Sequence, residues 1–342
     1  KFHTNLYAAF IRRCWELTAD DGKVGMIHPH TFMFIKSFED VRKFMIEKTS
    51  INVMVDFGLD RVNLFGPGVL LDATFYTYDK GQNNLEGIYF DITNGLQEKF
   101  KKDTFANAFL DLCEGRENSR VYRLPQDKLR QIKSWPFIYW ISDDFRKKFS
   151  DYYLSKLTKP ISGFKTGNNE GACRHWWEVT DEDVWQPFTK GGEYNKWYGN
   201  NWLKVNKADD FAYIRSQNSY QIPTIYGRLG INFTGSGSKG ITYRLLEPEI
   251  YHSNATNGIF PDNPYLYLAF LNSPLLFFAI ECLNPTVNKT VGDVSRLPFV
   301  DIKKLATDRK KSLTNIVKSI ISIKKHLCKF SLIEPLFEHS PI

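Results

Sequence analysis

Alternation of helical and extended patterns at the front of the chain constrains its fold more than any other feature. Leu6, Phe10, Cys14 and Leu17 recur at helical spacing, with Thr4 or Asn5 in front of them as a cap. Gly22 closes that helix, and Lys23–Ile27 reads as a buried strand stopped by Pro29. Ser37, followed by Glu39 and Asp40, can cap a second helix with Phe38, Val41 and Met45 turned inward. Ile51–Phe57 is strand-like. Val69–Tyr78 and Gly87–Ile92, separated by the polar stretch Asp79–Glu86, predict a hairpin. The series predicts the rear half of an α/β sheet with an antiparallel edge. Lys1 opens directly in a helical pattern, so the front half is expected upstream of it. A sheet cut there is not expected to fold well alone.

From about residue 130 the character changes. Gly, Asn, Trp and Tyr become dense and regular periodicity fades, which predicts a second domain of mixed, loop-rich α+β type. The expected divisions are 1–130, 131–300 and a basic amphipathic helical segment at 301–342. Five of the eight tryptophans (Trp176, Trp177, Trp185, Trp197, Trp202) crowd one stretch. They form either a β-rich core or partly exposed rings that meet bases. Tyr265–Ile280 reads as an apolar helix. In the last segment Leu313, Ile316, Val317, Ile320, Ile323 and Leu327 are expected to pack inward, with lysines on a solvated face opposite.

Charge narrows the partners. The net +7 is uneven, because residues 301–342 hold nine Lys/Arg against four Asp/Glu while the rest is nearly balanced. Any nucleic-acid contact by the body must therefore come from local patches. Five scattered cysteines without CxxC spacing argue against a disulfide framework or zinc ribbon, and fit reduced cytoplasmic thiols. No apolar run has the length to cross a bilayer, so no membrane is expected as a partner.

Several motifs fail on inspection. The run Gly235-Ser236-Gly237-Ser238-Lys239-Gly240 has the wrong order for a phosphate loop and leads into a strand-like Ile-Thr-Tyr. Asp262 and Glu281 suggest a metal-dependent nuclease, but Leu283 stands where its lysine should be. His28 and His30 have no carboxylate or cysteine at a matching interval, so both read as structural and no metal is expected. Asn263-Pro264-Tyr265 reads as the start of a helix, with Pro264 in its first turn.

The order of segments is more telling. Asn5–Phe10, Asp21–Ile27, Pro29-His30-Thr31-Phe32 and Ser37-Phe38 resemble the segment following the Asn-Pro-Pro-Tyr loop of gamma-class N6-adenine DNA methyltransferases. Leu64-Phe65 and Leu70–Tyr78 resemble that family's last strand pair. Gly163–Asn169, Lys190–Asn200, Gly240–Tyr243, Leu271-Asn272-Ser273, Asn284–Asn288, Val291–Val294 and Leu297-Pro298 resemble the target-recognition domain of PglX-type methyltransferases of BREX phage defence, related to Eco57I-like enzymes. The resemblance spans nearly the whole chain, and its joint order is more specific than any one piece.

What the resemblance implies is an enzyme that moves a methyl group from S-adenosylmethionine to the exocyclic nitrogen of an adenine in double-stranded DNA. The sheet would be Rossmann-like. The cofactor's Gly-rich loop and the Asn-Pro-Pro-Tyr loop would precede Lys1, so the fragment alone is expected to be inactive. The base must leave the duplex to react. By register Tyr78, with Tyr76 beside it, matches the aromatic that stacks on the extruded adenine, and Phe10 matches the position lining the cofactor's adenine. Core packing is the competing role for each. Polar side chains on loops would contact DNA, and the candidates are Lys165, Asn168, Asn169, Arg174, Arg228, Ser236 and Lys239. Other defence-system proteins are further candidate partners. The alternative reading is a non-catalytic DNA-specificity or scaffold module that needs no cofactor.

Overall fold

The computed structural model describes residues 2, 5–59, 72–81, 86–93, 98–237 and 239–340. Leu64-Phe65, Leu70-Leu71 and Ser238 lie outside them. The chain divides into two compact units, Lys1–Asp151 and Tyr152–Ile342. The division falls later than the compositional change near residue 130, and the last helical segment is part of the second unit.

The first unit runs α1 (Leu6–Leu17), β1 (Lys23–Pro29), α2 (Glu39–Lys48), β2 (Thr49–Leu59), β3 (Asp72–Lys80), β4 (Glu86–Asp91), α3 (Glu98–Cys113), β5 (Val121–Pro125) and α4 (Asp143–Asp151). Asn5 caps α1 by accepting from the Tyr7 backbone N–H at 3.3 Å. The helix ends where Thr18 turns extended and its hydroxyl donates to the Cys14 carbonyl at 2.6 Å. Glu39 and Asp40 sit in the first turn of α2, where a negative charge suits the helix dipole.

The five strands form one mixed sheet in the order β1-β3-β2-β4-β5. β3 lies antiparallel between β1 and β2, and β4 runs parallel to β2 on its other edge. This corrects the expected hairpin, since β3 and β4 are not neighbours. Both edges of β3 are already paired. Leaving β3, the chain is tied at the start of β2: the Gly81 N–H donates to the Lys48 carbonyl, and the Ser50 hydroxyl donates to the Gly81 carbonyl. β4 then pairs on the far side of β2.

One sheet face carries Val24, Met54, Tyr76 and Tyr78, packed with Ala8 and Ile11 of α1 and Val41 and Met45 of α2. The other face carries Val55 and Phe90, packed with Ala108 of α3. That second face is bare at its β1–β3 end. There the cross-strand partners Ile27 and Phe75 are 51% and 36% exposed.

Along the first helix Ala8 and Ile11 are buried, whereas Leu6, Phe10 and Leu17 point outward. Of the four residues that share a face by spacing, only Cys14 packs on the core. A spacing count fixes which residues share a helix face, but not which face meets the sheet.

The second unit holds α5 (Asn169–Ala172), β6 (Cys173–His175), β7 (Trp185–Thr189), β8 (Leu203–Asn206), α6 (Ala208–Arg215), β9 (Gly230–Thr234), β10 (Thr242–Leu246), β11 (Tyr251–His252), β12 (Thr256–Ile259), α7 (Pro264–Leu271), α8 (Pro274–Leu283), α9 (Val291–Ser295) and α10 (Thr307–Cys328). Its sheets are β11-β7-β8-β6 and β10-β9-β12. The expected apolar helix at Tyr265–Ile280 is two helices bent by 70°, because Ser273 caps α8 and Pro274 occupies its first turn. Asn263 caps α7 by accepting from the Leu266 N–H at 3.1 Å, so that turn is helix-start chemistry as read. Among the described residues no single helix is long and apolar enough to cross a membrane.

The phase of α10 also differs from expectation. Val317 and Ile321 are buried, whereas Ile316, Ile323 and Leu327 are about half exposed or more. Lys324 and Lys325 are half-buried, and three lysines of the helix find partners. Lys325 pairs with Glu247 at 2.5 Å, Lys324 donates to the Asn195 side chain at 3.0 Å, and Lys318 lies over the Tyr265 ring. Long lysine stems can bury their methylenes while the ammonium finds a partner.

Candidate functional site

In the first unit, β1 ends in a buried polar cluster. The His28 ring stacks on Tyr7 at 4.8 Å, and its Nε2 lies 2.8 Å from the Tyr76 hydroxyl. Burial lowers the His28 pKa to about 4, so the ring is neutral at physiological pH. His30, just past β1, meets the carboxylate of Asp56 on β2, two strands over, at 2.9 Å. Sequence spacing found no carboxylate for either histidine, because Asp56 reaches His30 only through sheet pairing. Nor did it find Arg42, which is fully buried and donates to the carbonyls of Phe32, Ile35 and Ser134.

The structure corrects the expectation for Tyr78. β3 is an inner strand, and its Thr74-Tyr76-Tyr78 face is sealed by α1 and α2. The Tyr78 ring is fully buried and stacks on Tyr76 at 6.0 Å, and its hydroxyl donates to the Ile11 carbonyl at 3.2 Å. No base can reach that ring unless α1 departs. Phe10, by contrast, is 51% exposed on the outer side of α1.

In the second unit the expected DNA-contacting residues separate into two kinds. Five serve local structure or lie in its turns. Asn168 caps α5 by accepting from the Gly171 N–H at 3.3 Å, and Asn169 accepts from the Thr166 hydroxyl at 2.7 Å. Arg174 donates to the carbonyls of Glu170 and Cys173 and covers the Trp185 ring. Lys165 pairs with Gln221 through its backbone, leaving its side chain exposed. Arg228 is exposed ahead of β9.

Ser236 and Lys239 are brought together. Their Gly-rich turn joins the antiparallel strands β9 and β10 and borders a cleft of about 310 Å³. Tyr194 and Glu193 stand on the other rim, and Thr234 and Thr242 lie deeper. The turn is braced from behind. Gly235 and Lys289 pair through their backbones, and the Ser236 hydroxyl donates to the Asn288 side chain. Lys289 is buried and paired with Glu281 at 3.1 Å, so Glu281 serves that brace. Beneath the cleft Arg244 is fully buried, with Nη2 donating to Thr234 Oγ1 at 2.7 Å and Nη1 to Thr242 Oγ1 at 3.0 Å. Burial lowers the Arg244 pKa to about 10, which leaves it cationic at neutral pH. Sequence reasoning missed Arg244, Thr234 and Thr242. The available signal was that each threonine flanks the Gly-rich run while Arg244 lies two residues farther along the same strand.

The tryptophan stretch is neither a sealed core nor a set of free rings. Trp177 is exposed and stacks on His175 at 4.4 Å, and the Trp176 indole donates to the Ile333 carbonyl at 3.1 Å. Trp185, Trp197 and Trp202 are part-buried.

Residues 1–65 match the family described as Eco57I restriction-modification methylase. The chain is 28% identical, over 93% of its length, to the adenine-specific methyltransferase PglX of Lacticaseibacillus casei (strain Zhang), and covers 28% of that relative. It is 24% identical, over 94% of its length, to the adenine-specific methyltransferase BrxX of Escherichia coli O9:H4 (strain HS), covering 26% of it. The resemblance expected from segment order holds. The chain spans little more than a quarter of the length of these curated relatives. A nuclease-deletion mutant of the type ISP restriction-modification enzyme LlaGI, solved with a DNA substrate mimic, shares the fold at a TM-score of 0.56 and 12% identity, covering 93% of this chain and 31% of that one.

Proposed function

We propose that the chain is part of a site-specific adenine-N6 DNA methyltransferase of restriction-modification or BREX-type phage defence. In this reading the first unit is the rear of a Rossmann-like catalytic domain, and the second is its target-recognition domain. The observation that carries it is the match to PglX and BrxX, which runs through both units with no large part of the chain left over. The sheet supports it. β1, β2 and β4 run in one direction, β1 has no partner on its outer edge among the described residues, and Ile27 of β1 and Phe75 of β3 lie bare beside that edge. Such an edge and apolar surface suit further strands of a larger catalytic domain.

S-adenosylmethionine supplies the methyl group in this reading. Phe10 fits a role beside it, since its ring is free to lie against the cofactor's adenine. In the second unit Lys239, Ser236, Lys165 and Arg228 keep side chains at exposed positions from which they can meet double-stranded DNA. Arg174, Asn168 and Asn169 would act there mainly by shaping the loops. Other proteins of the defence system are further partners under the same reading.

The test is to read modified bases in host DNA with and without the gene. N6-methyladenine at a defined motif should be lost on deletion and restored by the intact gene. An unchanged methylation pattern refutes the enzyme reading, and it favours a DNA-specificity module if the full-length protein still binds duplex DNA.

A further inference from the structure

The cleft beside the Gly-rich turn has a floor whose hydrogen-bond direction is set by elementary chemistry. A guanidinium has donors only, whereas a hydroxyl can accept and donate. Arg244 donates to Thr234 Oγ1 and to Thr242 Oγ1, so both hydroxyls are accepting from below. Each keeps its own proton to give. Among the described residues neither hydroxyl donates to any acceptor, and both residues line the cleft.

Charge points the same way. Arg244 is buried, and the Glu334 carboxylate, which offsets part of its charge through space, accepts from the backbone N–H groups of Asn200 and Asn201. The cross-strand partner of Arg244 is Asn232, a buried residue on the same sheet face whose amide oxygen and nitrogen have no partner among the described residues. Lys239 adds an ammonium at the rim, and Lys196 lies over the ring of Tyr194, which lines the cleft. Among the described residues Glu193 is the one acid lining the cleft. A neutral acceptor would need the hydroxyls alone, whereas a floor of donors backed by a buried cation suits an anionic oxygen.

We infer that this cleft is a phosphate-oxygen site, taking one phosphodiester of bound DNA against the Thr234 and Thr242 hydroxyls with Lys239 closing over it. The inference rests on the reading of the second unit as a DNA-contacting one, and it names the group on the nucleic acid that this cleft takes. A contact of this kind positions the duplex without reading its sequence.

The experiment uses the full-length protein, a fluorescent duplex at several salt concentrations, and inorganic phosphate as a separate probe. Thr234→Val with Thr242→Val keeps the shape of the floor and removes both donors, but it also takes two acceptors from buried Arg244, so its affinity is read once its Tm shows that it folds. It should weaken duplex binding about tenfold at every sequence, the loss expected for hydrogen bonds to a charged partner. Lys239→Gln, exposed and harmless to folding, should lower the slope of log affinity against log salt by about 1. In protein without DNA, inorganic phosphate should raise the Tm of the wild type and not that of Lys239→Gln. Unchanged affinity and slope in Lys239→Gln, with wild-type binding intact, overturns the inference while leaving the DNA reading standing. Should the wild type bind no duplex, the DNA reading fails by itself. Phosphate protection lost in Lys239→Gln would then support a free-phosphate site, and no protection would overturn the site altogether.

Discussion

Acid should unfold the second unit through His252. The residue is fully buried on β11, and neither ring nitrogen has a hydrogen-bond partner among the described residues. Gly258 approaches so closely that a Cβ there would lie 2.7 Å from Nε2, leaving no room for a solvating partner on that side. Burial lowers the His252 pKa from 6.5 to about 4. Above pH 6.5 the ring is neutral in both folded and unfolded chains, and the histidine adds no pH dependence. Between 6.5 and about 4 only the unfolded chain takes up the proton, so stability falls as the pH falls. The proton partition costs about 2 kcal/mol at pH 5 and levels off at about 3 kcal/mol once the pH is below the folded value. Urea denaturation followed by tryptophan fluorescence reads this, since Trp176, Trp177, Trp185, Trp197 and Trp202 all belong to the second unit. His252→Gln cannot titrate, and it carries the same other groups. Between about pH 7.5 and pH 5 the wild type should lose about 2 kcal/mol more than the variant. A difference below about 0.5 kcal/mol would show that the buried ring finds a proton-stabilising partner, and would refute the argument.

Three further outcomes follow from packing. Tyr78→Phe removes one buried hydrogen bond to the Ile11 carbonyl and should lower stability by about 1 kcal/mol, while duplex affinity and methylation by the full-length enzyme stay within twofold of wild type. A large selective loss of methylation would restore the base-platform role that burial denies it. Gly163→Ala places a Cβ 2.2 Å from the His252 carbonyl oxygen and 2.4 Å from that of Ser253, both backbone atoms that cannot yield. It should cost more than about 3 kcal/mol, and a soluble variant with unchanged Tm would contradict the close approach. On α10, Ile323→Lys should leave stability within about 0.5 kcal/mol, whereas Ile321→Lys, which buries a charge, should cost more than about 3 kcal/mol. Equal effects from the two would mean that the helix is rotated from the phase described.

Much of the first unit was legible because strand order along the chain follows local signals. The Asn5 cap, the strand stopped at Pro29 and the inward Phe38, Val41 and Met45 are short-range matters of hydrogen bonding and side-chain spacing. What those signals could not carry is pairing. The polar stretch after β3 looks the same whether the chain folds back on β3 or pairs on the far side of β2, and the outcome rests on Gly81 meeting Lys48 and Ser50. Helix phase escaped for a related reason. In α1 and α10 apolar residues lie on more than one side, and the side that packs is set by the neighbouring surface, not by the helix itself.

The candidate site divides along the same line. Residue types and segment order alone determined the family resemblance and pointed to the Gly-rich turn with Ser236 and Lys239, because flexible glycines and loop cations can be read locally. Tertiary structure alone decided that Tyr78 is sealed, that His30 meets Asp56, and that Arg244 stands beneath Thr234 and Thr242. Burial and cross-strand contact depend on which distant segment covers a residue, and no local pattern encodes that.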